Sequence, residues 1–276
     1  MYKRILTVQD ISCVGQCSLT VALPVLSVCG HETAVLPSSV LSNHTTGFDG
    51  YTFRDLSDDM PDILSQWQKE NITFSAIYTG YMGNEKQIAH VLDIMASVLD
   101  TDAIKVVDPA MADGGRLYPG FDNAFVKAMK KLASQADYLI PNITEACLLT
   151  DTPYTETYDE QFIKNLGKKL LALGCRNVVF TGVEYQQGMT GVAVCTADGY
   201  SHYRHRKIGK GIPGTGDLVA SVFTGALLKD IPASDSARIA ADFTVECIRN
   251  TQRYAGHTYG PAFEPLLYRL PQMLGK

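Results

Sequence analysis

The sequence predicts an α/β fold, a three-layer αβα sandwich with a mostly parallel central sheet, and three observations lead there. Short apolar runs recur along the 276 residues with amphipathic stretches between them. Polar and glycine residues follow those runs directly, as they do where ligands meet the carboxyl ends of parallel strands. Pro and Gly are dispersed, and no linker, low-complexity run or fixed-period repeat divides the chain, so 1–276 reads as a single domain.

The runs at 5–8, 34–36, 76–78, 104–107, 138–140 and 178–180 are short enough for buried strands. Amphipathic stretches at 87–99, 125–132 and 162–173 supply helices between them, the βαβ rhythm of a parallel sheet. Segments 191–195 and 200–207 flank Asp198-Gly199 and predict a β-hairpin with a tight turn. Two long helices, about 215–229 and 233–254, close the domain. By this reading Asp10, Thr79-Gly80-Tyr81, Asp108-Pro109, Pro141-Asn142 and Thr181-Gly182 each follow a strand and should meet at one edge.

A net charge of −5 and a pI near 5.7 give no basic field, which argues against nucleic acid or an anionic membrane as partner and favours a small molecule. The opening residues Met1-Tyr2-Lys3-Arg4 run straight into a strand, too short for a signal-peptide core, and no apolar stretch is long enough to span a bilayer. The expected location is the cytoplasm. The seven cysteines are scattered, mostly in apolar settings and without a CxxC pair, so they read as reduced small hydrophobes rather than zinc ligands.

Chemistry concentrates in Gly214-Thr215-Gly216-Asp217. Two glycines let the backbone approach an anion, and the helix that follows is apolar at 218, 219, 222, 223, 226 and 227. Its free first-turn amides and its dipole favour a phosphate. Asp217, in that first turn, can take a proton from an alcohol held beside the phosphate. A four-residue match alone reads first as a capped turn; the buried helix behind it makes it an anion-site candidate.

Three acidic elements face the same edge. Asp108 ends a buried strand, Asp113 follows it, and Glu145 opens a helix behind Asn142. Taken singly these are ordinary strand ends and helix caps. Together Asp108, Asn142 and Glu145 suit an outer shell for magnesium on a triphosphate, because a cation is what lets carboxylates face phosphate. The loop from Ser42 through Phe48 has the makings of a substrate rim: Thr45 or Thr46 to hydrogen-bond a heteroaromatic ring, Tyr81 or Phe48 as a flat wall. Arg204-His205-Arg206-Lys207 is the one dense basic run; it reads first as a solvated strand face, with Lys207 or Arg206 near enough to approach nucleotide phosphates.

These residues, taken in order, resemble the ribokinase-like superfamily and, within it, the pyridoxal (vitamin B6) kinases. Ser42-Asn43-His44-Thr45 is similar to that group's substrate loop, and Thr79-Gly80-Tyr81 to its Ser/Thr-Gly-Tyr turn. Asp108-Pro109-Ala110-Met111-Ala112-Asp113 resembles its Asp-Pro-Val-Met-Gly-Asp segment, the stretch 137–142 with Glu145 its Asp-x-Ile-x-Pro-Asn-x-x-Glu element, and Gly214-Thr215-Gly216-Asp217 its anion hole and base. The resemblance implies ATP-dependent phosphorylation of the 5′-hydroxymethyl of pyridoxal, pyridoxine or pyridoxamine, with Asp217 as base and the 214–216 amides as anion hole. It further implies Asp108 and Glu145 near Mg2+ and the ATP phosphates, Asp113 and Thr181 near a phosphate-associated cation or K+, Thr45 and Tyr81 beside the pyridine, and a homodimer.

One departure bears on substrate. Where many pyridoxal kinases present a serine from a Gln-Ser-His opening, this chain has Gln9-Asp10-Ile11-Ser12. A carboxylate there favours a cationic amine or protonated ring, which points to pyridoxamine. Two other functions remain open at this stage: hydroxymethylpyrimidine phosphorylation in thiamine synthesis, whose usual Gly-rich opening is missing here, and a non-catalytic vitamer-binding protein, which would need no base.

Overall fold

The computed structural model of the chain describes residues 3–209 and 211–275. It begins β1 (Arg4–Ser12), α1 (Ser18–Val28), β2 (Glu32–Leu41), β3 (Phe53–Asp55), α2 (Met60–Lys69), β4 (Phe74–Thr79), α3 (Glu85–Ser97) and β5 (Leu99–Val107). A small hairpin, β6 (Ala112–Asp113) and β7 (Arg116–Leu117), leads to α4 (Asn123–Ala133), β8 (Tyr138–Leu139), α5 (Ile143–Leu149), α6 (Glu160–Leu173) and β9 (Asn177–Phe180). The hairpin β10 (Met189–Thr196) and β11 (Gly199–Arg206) precedes α7 (Thr215–Leu227), α8 (Ala233–Thr251) and α9 (Arg269–Met273).

Among the described residues nine strands form one sheet in the order β11-β10-β9-β8-β5-β4-β1-β2-β3. Every pair from β2 through β9 is parallel, and antiparallel strands close both edges. Alternation along each strand sorts side chains to opposite faces. Leu6, Ile77, Val107 and Phe180 pack with α2 to α6, while Ile5, Tyr78, Val106 and Val179 pack with α1, α7 and α8. These two cores make the expected three layers.

Three helices went unnamed in the sequence reading, α1, α2 and the short α9 near the end. α1 carries Pro24 and is apolar almost all round, so neither its ends nor a polar face announces it; Val21, Ala22, Val25 and Leu26 are fully buried, which holds it helical despite the lost hydrogen bond. α2 did leave a signal: Pro61 in its first turn, then Ile63, Leu64 and Trp67 at helical spacing on the core. The last two long helices stop a little short of the expected ends.

The position of Asp10 needs correcting. It does not follow the first strand but lies inside it, because β1 continues to Ser12. An irregularity explains how it still reaches the edge. Between Gln9 and Ile11 the pairing with β2 slips, Gln9 opposite Pro37 and Ile11 opposite Val40, and such a bulge re-aims the side chain beside it.

Candidate active site

Backbone geometry builds the glycine loop. Gly214 caps α7 with φ +78°, in the left-handed region, and a Cβ there would stand 2.0 Å from the Gln16 carbonyl oxygen. Only glycine satisfies both conditions. A Cβ on Gly216 would instead meet nothing within 4 Å, so this turn borders open space. Thr215 Oγ1 donates to the Ile212 carbonyl at 2.9 Å and fastens the loop to the helix start. The amides that follow have no partner from within the helix.

Asp217 is the third residue of α7. Burial, with the nearby Asp10 charge, pushes its carboxyl up from 3.8 to about 7 against a hydrogen bond from the Ser18 N–H. Asp10 is itself raised by burial, against hydrogen bonds from Ser18 and Ser12 and the His44 charge; Ser12 Oγ donates to its Oδ2 at 3.1 Å. Ser18 thus serves both carboxyls, by backbone and by side chain. It does so from φ 47°, a left-handed setting that costs a non-glycine residue about 1–2 kcal/mol and that concentrates at functional sites. Ser18 was missed in the sequence because serine at a helix start is commonplace, and Ser12 was named there only as the end of the Gln9–Ser12 stretch, without a role. Cys17, next to them, is buried, and burial with the Asp217 and Asp10 charges holds its thiol far above the ordinary range, so it is no nucleophile.

Asn142 and Glu145 form a reciprocal capping box on α5: Asn142 Oδ1 accepts from Glu145 N–H at 3.0 Å, and Glu145 Oε2 from Asn142 N–H at 2.9 Å. Glu145 Oε1 accepts from Met111 N–H at 3.0 Å, and Asn142 Nδ2 donates to the Ala112 carbonyl at 2.7 Å, so the pair also fixes the segment after Asp108. Asp108 accepts from Ala110 N–H at 3.1 Å. Both acids are buried, and burial raises both; the Glu145 and Asp217 charges raise Asp108 further. Asp113 is exposed on the β6–β7 hairpin, its Oδ1 accepting from Gly114 N–H at 2.8 Å. Tyr118, unremarked in the sequence, carries its phenol into the field of all four acids, Glu145, Asp113, Asp108 and Asp217.

Among the described residues no group of three or more His, Cys, Asp and Glu is arranged as a metal cage. The chemistry of the acids nevertheless fits Mg2+. They offer hard oxygens crowded at one edge, and Mg2+ bound with a nucleotide takes most of its ligands from phosphate and water.

Beside these acids opens a cavity of about 660 Å3. Asp113, Asn142, Thr181 and Thr215 line it from the sheet side, Val245 and Ile248 of α8 give an apolar flank, and His205 and Lys207 close it from the hairpin. Lys207 Nζ is 2.7 Å from Glu184 Oε1, an ion pair across the mouth. Arg204 and Arg206 point away to solvent, as alternation requires.

On the other side stands the loop after β2. Thr45 and Thr46 are exposed on its crest, and the loop reaches the acids through His44, whose charge bears on Asp10. Tyr81 lies half-buried near Asp10, with the Phe121 ring centroid 5.7 Å from its own. Phe48 instead packs on Tyr259, centroids 5.3 Å apart, so it belongs to the rim. Sequence reasoning did not anticipate this 257–261 segment, in which His257 Nε2 meets Gln16 Oε1 at 3.0 Å and Gln16 N–H donates to the Tyr259 carbonyl at 3.1 Å. Gly256 and Gly260-Pro261 mark it as a structured turn, the one available signal.

A family model described as phosphomethylpyrimidine kinase matches residues 38–262. A Bacteroides thetaiotaomicron protein provisionally described as a phosphomethylpyrimidine kinase, in a crystal form with pyridoxal, is 36% identical with a TM-score of 0.93, covering 98% of this chain and 96% of that one. The pyridoxal kinase of Lactobacillus plantarum is 31% identical with a TM-score of 0.91, covering 99% and 98%. The pyridoxine/pyridoxal/pyridoxamine kinase of Bordetella pertussis is 27% identical over 269 residues, 90% of this chain and 89% of that protein.

Proposed function

Because the chain belongs to the phosphomethylpyrimidine kinase family, we propose that it is a kinase transferring the γ-phosphoryl group of ATP to the 5′-hydroxymethyl of a vitamin B6 vitamer. The observation that carries this is the pairing of a buried carboxyl, Asp217, with a glycine-bracketed helix start that has a cavity on one side and the Asp10 group on the other. The first is the 660 Å3 cavity, of nucleotide size. The second gathers Asp10, Tyr81 and His44. The likeness to a protein crystallised with pyridoxal supports a B6 vitamer at the second.

In this reading the acceptor hydroxyl lies by Asp217, which takes its proton as the new P–O bond forms and the bond to the leaving ADP oxygen breaks. Amides at 214–216 face the transferring phosphoryl, each such donor being worth about 3 kcal/mol. Asp108, Asn142 and Glu145, with Asp113 nearby, would form the outer shell of a Mg2+ bound with ATP, which would supply neutralisation of the phosphate charge. Thr181 and Asp113 stand toward the phosphates and a monovalent ion such as K+. Thr45, Thr46 and Tyr81 border the vitamer, and Asp10 favours pyridoxamine among the vitamers. The protein acts as a cytoplasmic homodimer; no helix among the described residues is long and apolar enough to cross a membrane.

The test is the rate of ADP formation from Mg-ATP with pyridoxal, pyridoxine, pyridoxamine and hydroxymethylpyrimidine, each product identified by mass. Turnover of a vitamer is the expected result. Selective turnover of the pyrimidine would move the enzyme to thiamine synthesis, and tight vitamer binding without product would make it a binding protein.

A further inference from the structure

Beneath Asp217 lies a buried polar patch that the reaction as described does not use. Ser221 follows Asp217 by one turn of α7, so both occupy one face of the helix. Tyr78 on β4 pairs with Thr7 on β1. Because Ile5 and Tyr78 belong to the core on the α7 side, Thr7 and Gln9 project there too. Thr7, Gln9, Tyr78 and Ser221 are each 0% exposed.

Gln9 Nε2 donates to Thr7 Oγ1 at 3.0 Å, and the Gln9 side chain fills the space over Gly80, where a Cβ would come within 2.9 Å of Gln9 Cδ. Its Oε1 remains, together with Tyr78 Oη and Ser221 Oγ, and none of these three buried atoms has a well-aligned hydrogen-bond partner. They converge nonetheless. Ser221 and Gln9 are the side chains that bear on the Tyr78 hydroxyl, and Asp108 and Asp217 are the charges that face it. Burial and those charges keep the phenol protonated, so it stays a donor. A buried hydroxyl without a partner is costly, and phenylalanine would fill the same space without that cost.

We propose that Tyr78 is a positioning residue: its hydroxyl, with Ser221 and the Gln9 amide, forms a polar floor that fixes the first two turns of α7 and so the direction in which Asp217 meets the acceptor hydroxyl. It touches neither substrate. The inference rests on the phosphotransfer reading, since Asp217 needs fixing only if it is the base.

Tyr78→Phe, Ser221→Ala and the double variant, compared with wild type, test it. The expected result is a fall in kcat of about 10-fold for Tyr78→Phe, with KM for vitamer and for Mg-ATP within about twofold of wild type, and a double variant no worse than its worse parent. A Tyr78→Phe kcat within twofold of wild type overturns the inference while leaving the phosphotransfer reading intact. Wild type inert toward every vitamer overturns that reading instead, and thermal unfolding then judges the floor without substrate. Loss of a working hydroxyl lowers Tm by about 2–4 °C, because buried Ser221 and Gln9 lose the hydroxyl that faces them both; a rise of similar size marks an idle hydroxyl and sinks the proposal.

Discussion

Asp217 stands on close-packed backbone, whereas the cavity beside it is walled by a hairpin, a loop and the flank of a helix. At the first, the Gln16 carbonyl presses on Gly214, and Ser18 holds a left-handed backbone to reach two carboxyls at once. At the second, exposed Lys207 and Glu184 pair across an opening bordered by Thr181 and Gly211. On the proposed function, the contrast separates what must be placed to a fraction of an ångström, the base and the amides, from what must admit and release a large ligand. Changes at the first should strike turnover, and changes at the second should strike nucleotide affinity.

The largest effect should come from Asp217→Asn, which keeps the shape and removes the base. Turnover should fall by about 10² to 10⁴ with little change in ATP binding, read by steady-state rates and by calorimetry with a nucleotide analogue. A nearly normal turnover number would refute the base assignment. The same variant should change stability in the opposite sense. With the carboxyl raised from 3.8 to about 7 in the folded chain, the fold holds a proton that the unfolded chain has released across that window. Stability contributed by this group therefore falls as pH rises through it, with the whole cost present above about 7. Thermal unfolding across this range should show a shallower decline for Asp217→Asn than for wild type.

Gly214→Ala comes next. Its Cβ would collide with the Gln16 carbonyl and strain a positive φ, so the loop must shift and the amides with it. A drop in kcat of roughly 10²-fold with the fold retained is expected, whereas Gly216→Ala, which faces open space, should bind the vitamer normally unless the phosphoryl group is present. Equal behaviour of the two variants would erase the distinction between packed backbone and ligand space.

Asp10→Ser should redistribute preference rather than abolish activity: kcat/KM for pyridoxamine relative to pyridoxal should drop about 10-fold. An unchanged vitamer profile removes the basis for assigning Asp10 to an amine or a protonated ring. The smallest effect belongs to Lys207→Ala, which opens the exposed pair with Glu184. We expect KM for ATP to change by about two- to fivefold, less at high salt, with kcat untouched.

Legibility in the sequence follows the same division. The parallel sheet could be read because buried strands are short apolar runs, and Gly214 through Asp217 because glycine on both sides of a threonine before an apolar helix is uncommon chemistry. Asn142 and Glu145 were readable twice, as a cap and as part of an acidic edge, and the capping box is the part the geometry displays. Asp10 was placed a strand-end too early because a bulge leaves no mark in composition. Ser18 and Tyr118 escaped altogether: each lies near one acid in sequence, Asp10 and Asp113, but meets Asp217 from far along the chain, and nothing local to a serine or a tyrosine reports what folds against it. The 257–261 segment was opaque for the same reason, since its partners Gln16 and Phe48 lie more than two hundred residues away.

That last separation has a bearing on how the molecule is made. Gln16 takes its shape from Tyr259 and His257 and lends it to Gly214, so the glycine turn is complete only when segments 241 residues apart have met. Bringing such distant stretches together carries the entropy of a very long closure. A chain still emerging from the ribosome can assemble most of its sheet while this turn is unformed. On the proposed function, competence to turn over ATP would therefore wait for the last segment to dock.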